Sequence, residues 1–165
     1  KIVYSGSPNL PDFTNLGLVD IKGVDVTLKS TVTPAADWQG TLSANYTCQL
    51  AQNVTNPGDT FYLDQIPNTP KNVLNFNAGI SHKQVGVYYN YTLASSRYYS
   101  SNNTPEFYLP AYHVSNLSFT WHFLTGKLPV ATALEVNNLE NVNYSIIKSY
   151  PMPGRSFRLS MQITI

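Results

Sequence analysis

Hydrophobic and polar residues alternate with a two-residue period along seven stretches of the chain. The last stretch is the clearest, because Phe157, Leu159, Met161, Ile163 and Ile165 are separated by single polar residues. Successive side chains of a β-strand point to opposite faces, so this period predicts strands with one apolar and one polar face. The other six stretches are residues 24–32, 38–50, 73–81, 84–93, 113–123 and 127–138. No stretch of comparable length has helical periodicity, and the chain is predicted to be nearly all β.

The connections between the predicted strands alternate in length. Short ones span residues 33–37, 81–84 and 124–127, and long ones span residues 51–70, 95–112 and 138–154. Tight turns at one end and long loops at the other are typical of outer-membrane β-barrels. Strands of about 9–11 residues also fit a tilted membrane crossing. The pattern therefore predicts antiparallel transmembrane strands.

The aromatic residues fit two membrane interfaces. Trp38, Trp121 and Phe123 lie beside short turns, whereas Tyr98, Tyr99, Phe107, Tyr108 and Tyr112 lie in or near one long loop. Such belts are expected at both surfaces of a bilayer. Alternation alone fits equally well a soluble β-sandwich or a small closed β-barrel. The polar faces favour the membrane barrel, because they carry Asn, Ser and Thr where a solvated sheet usually carries Lys and Glu.

Composition narrows the possible functions. Charged residues make up 12% of the chain and the net charge is +1, with no basic cluster, which argues against nucleic acid as a partner. The single cysteine, Cys48, excludes an internal disulfide framework and is expected to be inert buried filling. The three histidines, His82, His113 and His122, lack Cys or carboxylate residues at ligand spacing. Without a phosphate-binding or nucleophile motif, the sequence predicts no enzyme, no cofactor and no metal site.

Two local features mark strand boundaries. Gly23 lies where the apolar side changes parity between Ile21 and Val24, which predicts a β-bulge. Asn137 and Asn138 follow the last apolar residue of their stretch and are predicted to end the ladder, because Asn favours local backbone bonds.

Four stretches in order carry a family resemblance: residues 21–28, 66–81, 109–123, and 134–144 followed by 151–163. In these the sequence resembles the C-terminal barrel portion of TonB-dependent outer-membrane receptors, over residues 17–165. The resemblance implies a location in the bacterial outer membrane and import of a scarce nutrient: a siderophore, haem, cobalamin or a glycan. It also implies contact with lipid, with the rest of a barrel of about 22 strands and with a plug domain. TonB would be contacted through an N-terminal part that this chain lacks. Ile165 departs from the aromatic residue on which such receptors usually end.

The number of strands leaves two arrangements open. Seven strands, or eight if residues 1–6 pair with the last one, make roughly a third of the larger barrel. Residues 1–165 are then a C-terminal barrel segment without the plug domain. Alternatively, eight strands close as a complete small barrel. A soluble β-sandwich or small barrel that binds carbohydrate remains the competing function.

The candidate site residues belong to the loops and to the polar face. Five tyrosines are candidates for stacking on a sugar, a siderophore catecholate or a corrin, although the outer aromatic belt is the favoured role for any single one of them: Tyr62, Tyr99, Tyr108, Tyr112 and Tyr144. Glu135 and Arg158 lie on the polar side of consecutive strands and are predicted to form a cross-strand ion pair in the barrel lumen. The alternative role for that pair is a contact with the plug.

Overall fold

The computed structural model describes the backbone of residues 2–4 and 13–15, and both backbone and side chains of residues 17–164. The strands are, in chain order, β1 (Ile2–Tyr4), β2 (Phe13–Asn15), β3 (Val19–Val32), β4 (Trp38–Asn53), β5 (Asn72–His82), β6 (Val85–Ala94), β7 (Arg97–Tyr98), β8 (Tyr108–Leu109), β9 (Tyr112–Thr125), β10 (Leu128–Asn137), β11 (Ser145–Ile147), β12 (Tyr150–Pro151) and β13 (Ser156–Ile163). The helical content of the described residues is a 3₁₀ turn, Pro105–Phe107. None of the helical structure in this part of the chain is long and apolar enough to cross a membrane.

Seven long strands form one antiparallel sheet in the order β13-β10-β9-β6-β5-β4-β3. Each contains one of the seven alternating stretches, so those predictions are confirmed. The short connections join β3 to β4, β5 to β6 and β9 to β10 at one end of the sheet. At the other end lie three long connections, here named loop A (residues 54–71), loop B (95–111) and loop C (138–155). Loop B contains the β7–β8 hairpin, and loop C contains the β11–β12 hairpin, neither of which the alternation predicted.

The register keeps the apolar side chains on one face across the whole sheet. Leu159 pairs with Leu134, Leu134 with Phe119, Phe119 with Val87, and Val87 with Ile80. Leu159, Leu134 and Phe119 are 75%, 47% and 43% exposed, so no second sheet of the described chain covers them. The soluble β-sandwich is therefore wrong, because it requires this face to be buried. Cys48 is also exposed, on the same face, and is not the buried filling expected from the sequence.

The described buried apolar residues lie mainly at the loop end of the sheet: Ala51, Ile66, Ala94, Phe107, Leu109 and Val114, with Val130 near the opposite end. The small core thus joins loops to strands.

The sheet is open within the described residues. Strand β3 is at one edge and β13 is at the other. Strand β1 pairs with β2, from Ile2 with Asn15 to Tyr4 with Phe13, in a separate two-stranded sheet. Within the described residues the first stretch is therefore not an eighth strand that closes on the last one, and no small closed barrel forms. Ile165 lies outside the described residues.

The predicted bulge at Gly23 is wrong. Strands β3 and β4 keep an unbroken register around it, with Lys22 opposite Leu50 and Val24 opposite Cys48. The apolar pattern changes sides at Gly23 because β3 extends beyond the apolar band of the sheet. In this extension Asp20 and Lys22 lie on the face that carries apolar residues from Val24 onward. The Nζ atom of Lys22 lies 2.7 Å from Oδ2 of Asp20 there. Glycine is required for a different reason, since a Cβ at position 23 would lie 2.7 Å from the carbonyl oxygen of Cys48.

Strand β10 ends at Asn137, as predicted from the Asn pair. Asn138 has a φ of 53°, and its side chain is 3% exposed. Its Nδ2 atom donates to the carbonyls of Val142 and Pro153 at 2.9 and 3.1 Å, and its Oδ1 atom accepts from the Val142 amide at 2.8 Å. Asn138 therefore organises loop C where the ladder stops.

Candidate functional site

Arg97 joins loop B to loop C. It begins β7, is 3% exposed, and its Nη2 atom donates to the carbonyls of Ser145 and Ile146 at 2.9 and 2.5 Å. Burial lowers the pKa of Arg97 below its ordinary value, although the guanidinium remains charged at neutral pH. Its Nη1 atom is buried without a hydrogen-bond partner among the described residues. This positive charge is the electrostatic centre of the loop cluster.

Tyr112 and Tyr144 pack directly beside Arg97. The guanidinium carbon lies 5.4 Å from the centre of the Tyr112 ring, which fits a cation–π contact. Tyr112 and Tyr144 stack with ring centres 4.7 Å apart and planes inclined by 25°. Burial, and secondarily the neighbouring Tyr112, raise the pKa of Tyr144 above its ordinary 10.0. These two candidate residues therefore cover each other's faces and help to fasten loop C to β9.

Tyr99 and Tyr108 extend the same aromatic cluster. Tyr99 meets Phe107 edge to face at 5.3 Å, and its hydroxyl donates to the Glu106 carbonyl at 3.1 Å. The Nζ atom of Lys148 in loop C lies 5.4 Å from the centre of the Tyr99 ring. Tyr108 meets the edge of Tyr98 at 6.0 Å and remains exposed. Of the four clustered candidates, Tyr108 has the most surface available to a ligand.

An open groove of about 460 Å³ lies between the two hairpins of these loops. This volume is in the range of small-molecule sites. We call it the B–C groove, and its lining residues are Tyr108, Leu109, Pro110, Asn143, Tyr144, Ser145, Lys148, Ser149, Pro151 and Met152. Lys148 is the one charged residue in that lining. Aromatic and aliphatic walls with a single ammonium group suit a ligand that has both a flat apolar part and a negative charge.

Loop A is attached to loop B through Asn103. The Oδ1 atom of Asn103 accepts from the Gln65 amide at 2.8 Å, and its Nδ2 atom donates to the Gln65 carbonyl at 3.1 Å. The Asn68 amide also donates to the Tyr98 carbonyl at 2.7 Å. The three loops thus form one connected cap over this end of the sheet. Tyr62 is half-buried in loop A and is not part of the B–C groove lining.

Sequence reasoning selected the tyrosines but missed Arg97, Asn103 and Lys148. None belongs to a periodic stretch or a motif, so the sequence carries no signal for them.

The structure brings Glu135 and Arg158 together on the polar face. They are register partners of β10 and β13, and Nη2 of Arg158 lies 2.6 Å from Oε2 of Glu135. The Glu135 side chain is 22% exposed and that of Arg158 is 67% exposed. The pair is therefore positioned by the ladder itself.

Apart from Asp25 and Lys29 on β3, the rest of the described polar face carries mainly neutral side chains, and several of these bond across strands. Asn90 donates from Nδ2 to Oδ1 of Asn77 at 2.6 Å, and Asn77 donates to the Ser43 hydroxyl at 3.1 Å. Next to this row the Tyr88 ring lies over two glycines, since a Cβ at Gly79 would be 2.5 Å from the ring and one at Gly86 2.8 Å. This face is a hydrogen-bonding wall and holds few charges.

In the part of the chain that the structure describes, no three His, Cys, Asp or Glu side chains group in a way that can hold a metal ion. A wider concavity at the short-turn end, beside Trp38 and Lys83, is shallow and far from the loop cap.

Comparison with known proteins identifies a family and a solved structure that share this architecture. Residues 1–139 match the family described as TonB dependent receptor-like, beta-barrel. Among solved structures, the crystal structure of BauA, the ferric preacinetobactin receptor from Acinetobacter baumannii, matches with a TM-score of 0.70 at 16% identity. The match covers 98% of this chain and 25% of that receptor, so the chain spans about a quarter of its length. No curated protein sequence gives a significant match. The chain belongs to the TonB-dependent receptor-like β-barrel family.

Proposed function

We propose that this chain is a C-terminal barrel segment of a TonB-dependent outer-membrane receptor that takes up a scarce nutrient. In this role the seven strands form part of the barrel wall, and loops A, B and C form part of the outer surface that contacts the nutrient. The segment is structural and binding in nature and not catalytic. The observation that carries the proposal is the division of the sheet into one continuous apolar face and one polar face with few charges.

Physical chemistry supports a lipid environment for the apolar face. Leu28, Phe157 and Leu159 are each at least 66% exposed, and none of their register partners on that face is buried. Apolar area left in water loses about 25 cal/mol per Å² relative to an apolar medium. In a bilayer the same residues meet hydrocarbon, while the ladder bonds satisfy the backbone.

The open sheet supports a longer receptor. Strands β3 and β13 both have a free edge within the described chain, and free backbone groups are costly in lipid. We propose that further strands of the same receptor pair with both edges, and that the plug domain and the TonB-contacting segment belong to its remaining part. The polar face then lines the lumen against the plug.

The nutrient is met by the loop cap, where rigid strands present variable tips. Tyr99, Tyr108, Tyr112 and Tyr144 share one cluster there, and Tyr62 belongs to the attached loop A. A siderophore, haem, cobalamin or a glycan would reach the same cap, so the proposal does not depend on the nutrient class.

The experiment compares an arginine on each face of β10 in the full-length receptor. Leu134→Arg places a charge on the apolar face, and Ala133→Arg places it one residue away on the polar face. A charge on the lipid face costs about 2–4 kcal/mol near the bilayer centre, whereas lumen positions accept one. We expect Leu134→Arg to reduce the folded, heat-modifiable form in outer-membrane fractions and Ala133→Arg to leave it near the wild-type level. Equal effects of the two variants would contradict the proposal.

A further inference from the structure

We propose that the B–C groove binds a planar aromatic anion, with Lys148 as the charge partner and the surfaces of Tyr108 and Tyr144 as its walls. This inference rests on the proposed function of the loop cap and specifies the ligand chemistry of that part of it.

The walls of the groove select for a flat ligand. Tyr108 is exposed and braced by the edge of Tyr98 at 6.0 Å, and Tyr144 is held by its stack on Tyr112 at 4.7 Å. Aromatic side chains fixed in this way lose little conformational freedom when a ring packs on them. Pro110 and Pro151 add rigid apolar surface to the same lining.

Charge selects for an anion. Lys148 is the one residue of the lining with a cationic or anionic side chain, and no carboxylate of the described chain is within ion-pair distance of it. Its ammonium nitrogen lies 5.4 Å from the centre of the Tyr99 ring, which places the charge beside the aromatic surfaces. The buried guanidinium of Arg97, bonded to the carbonyl of the lining residue Ser145, adds a second positive charge close to the groove. A carboxylate or phenolate gains a charge-assisted contact with Lys148 that a neutral sugar does not gain, so the lining favours an anion.

Arg97 is a positioning residue for this site. Its Nη2 atom bonds the carbonyls of Ser145 and Ile146, and Ser145 lines the groove. In the β7–β8 hairpin Arg97 pairs with Leu109, which lines the opposite side. Arg97 thus sets the distance between the two walls.

The test measures binding of 4-hydroxybenzoate and its uncharged match, 4-hydroxybenzyl alcohol, to the purified full-length receptor by ligand-observed NMR titration. We expect wild type to bind the anion about tenfold more tightly than the alcohol, the size of effect a charge-assisted hydrogen bond gives. Lys148→Gln should remove this preference and Lys148→Arg should retain it. Lys83→Gln, at a short turn on the opposite end of the sheet, is the matched control and should change nothing.

Positioning by Arg97 has a separate signature. Arg97→Lys keeps the charge but loses the planar fork, so we expect weaker binding of both compounds by a similar factor and an unchanged preference for the anion. A loss of preference without a loss of affinity would overturn the positioning role.

The proposed site would be overturned by any of three results: equal affinity for the two compounds, a preference for the anion that survives Lys148→Gln, or no binding of either compound. Each sample is first checked for the folded, heat-modifiable form in membranes. Failure at that check counts against the proposed function, whereas failure of the binding comparison in a folded receptor counts against the groove alone.

Discussion

Asn138 is expected to hold loop C closed, and its removal gives the most direct test of how the loop cap is built. The side chain makes three hydrogen bonds, two from Nδ2 to the carbonyls of Val142 and Pro153 and one from the Val142 amide to Oδ1. At about 1 kcal/mol for each buried bond, Asn138→Gly should lower the free energy of loop opening by about 3 kcal/mol. Glycine tolerates the φ of 53°, so this variant removes the side-chain hydrogen bonds without adding backbone strain.

Asn138→Ala loses the same three bonds but keeps a Cβ in the left-handed region. That Cβ costs about 1 kcal/mol relative to glycine, so loop C should open about 1 kcal/mol more easily in the alanine variant than in the glycine variant. The assay is hydrogen–deuterium exchange of the full-length receptor, followed at the Val142 amide. A change of 3 kcal/mol corresponds to exchange about 100-fold faster where opening precedes exchange.

Asn68→Gly is the matched control, because Asn68 also has a positive φ, of 55°, but is exposed in loop A. It should leave Val142 exchange unchanged. Val142 exchange in Asn138→Gly within threefold of wild type would refute the assigned role of the three bonds. If Asn138→Ala exchanged no faster than Asn138→Gly, the strain argument would be refuted separately.

The remaining predictions concern two carboxylates. The hydroxyl and amide of Ser115 donate to Glu140, and the hydroxyl bond is the main cause that lowers the Glu140 pKa below its ordinary 4.5. A lowered carboxyl pKa stabilises the folded state above pH 4.5 and loses that effect as pH falls through the lowered value. The protection factors of loop C amides, which are corrected for the intrinsic slowing of exchange at lower pH, should therefore fall below pH 4.5 in wild type and show little such dependence in Glu140→Gln. For Glu135 and Arg158, a double-mutant cycle with alanine in urea should give a coupling no larger than that of an ordinary surface ion pair, because the pair is partly exposed and gains little in water. A coupling as large as that of a buried ion pair would contradict this expectation.

Two arginine contacts, the ion pair of Arg158 and the hydrogen bond of Arg97 to a loop carbonyl, differ in how far the sequence predicts them. The pairing of Glu135 with Arg158 was accessible from alternation, because both lie on the polar side of consecutive strands and the ladder then fixes their register. The contact between Arg97 and Ser145 spans 48 residues and joins two loops without periodicity. No pattern in either loop indicates the other, so neither Arg97 nor Lys148 was predicted to belong to the site.

Gly23 illustrates a second limit. Its sequence context predicted a bulge, because the apolar side changes parity there. The same change arises when an unbroken strand runs past the apolar band, and only the register with Cys48 distinguishes the two cases.

By itself, the sequence determined the strands, their faces and the alternation of short turns with long loops, because a two-residue period is a local property of extended backbone. The resemblance to a known family, and not the alternation, indicated which type of barrel these strands belong to. Tertiary structure alone decided which side chains of the three loops meet, how Arg97 becomes buried, and that the B–C groove exists. The physical reason is that those contacts depend on non-local chain folding and desolvation, whereas the faces of a strand depend only on the order of neighbouring residues.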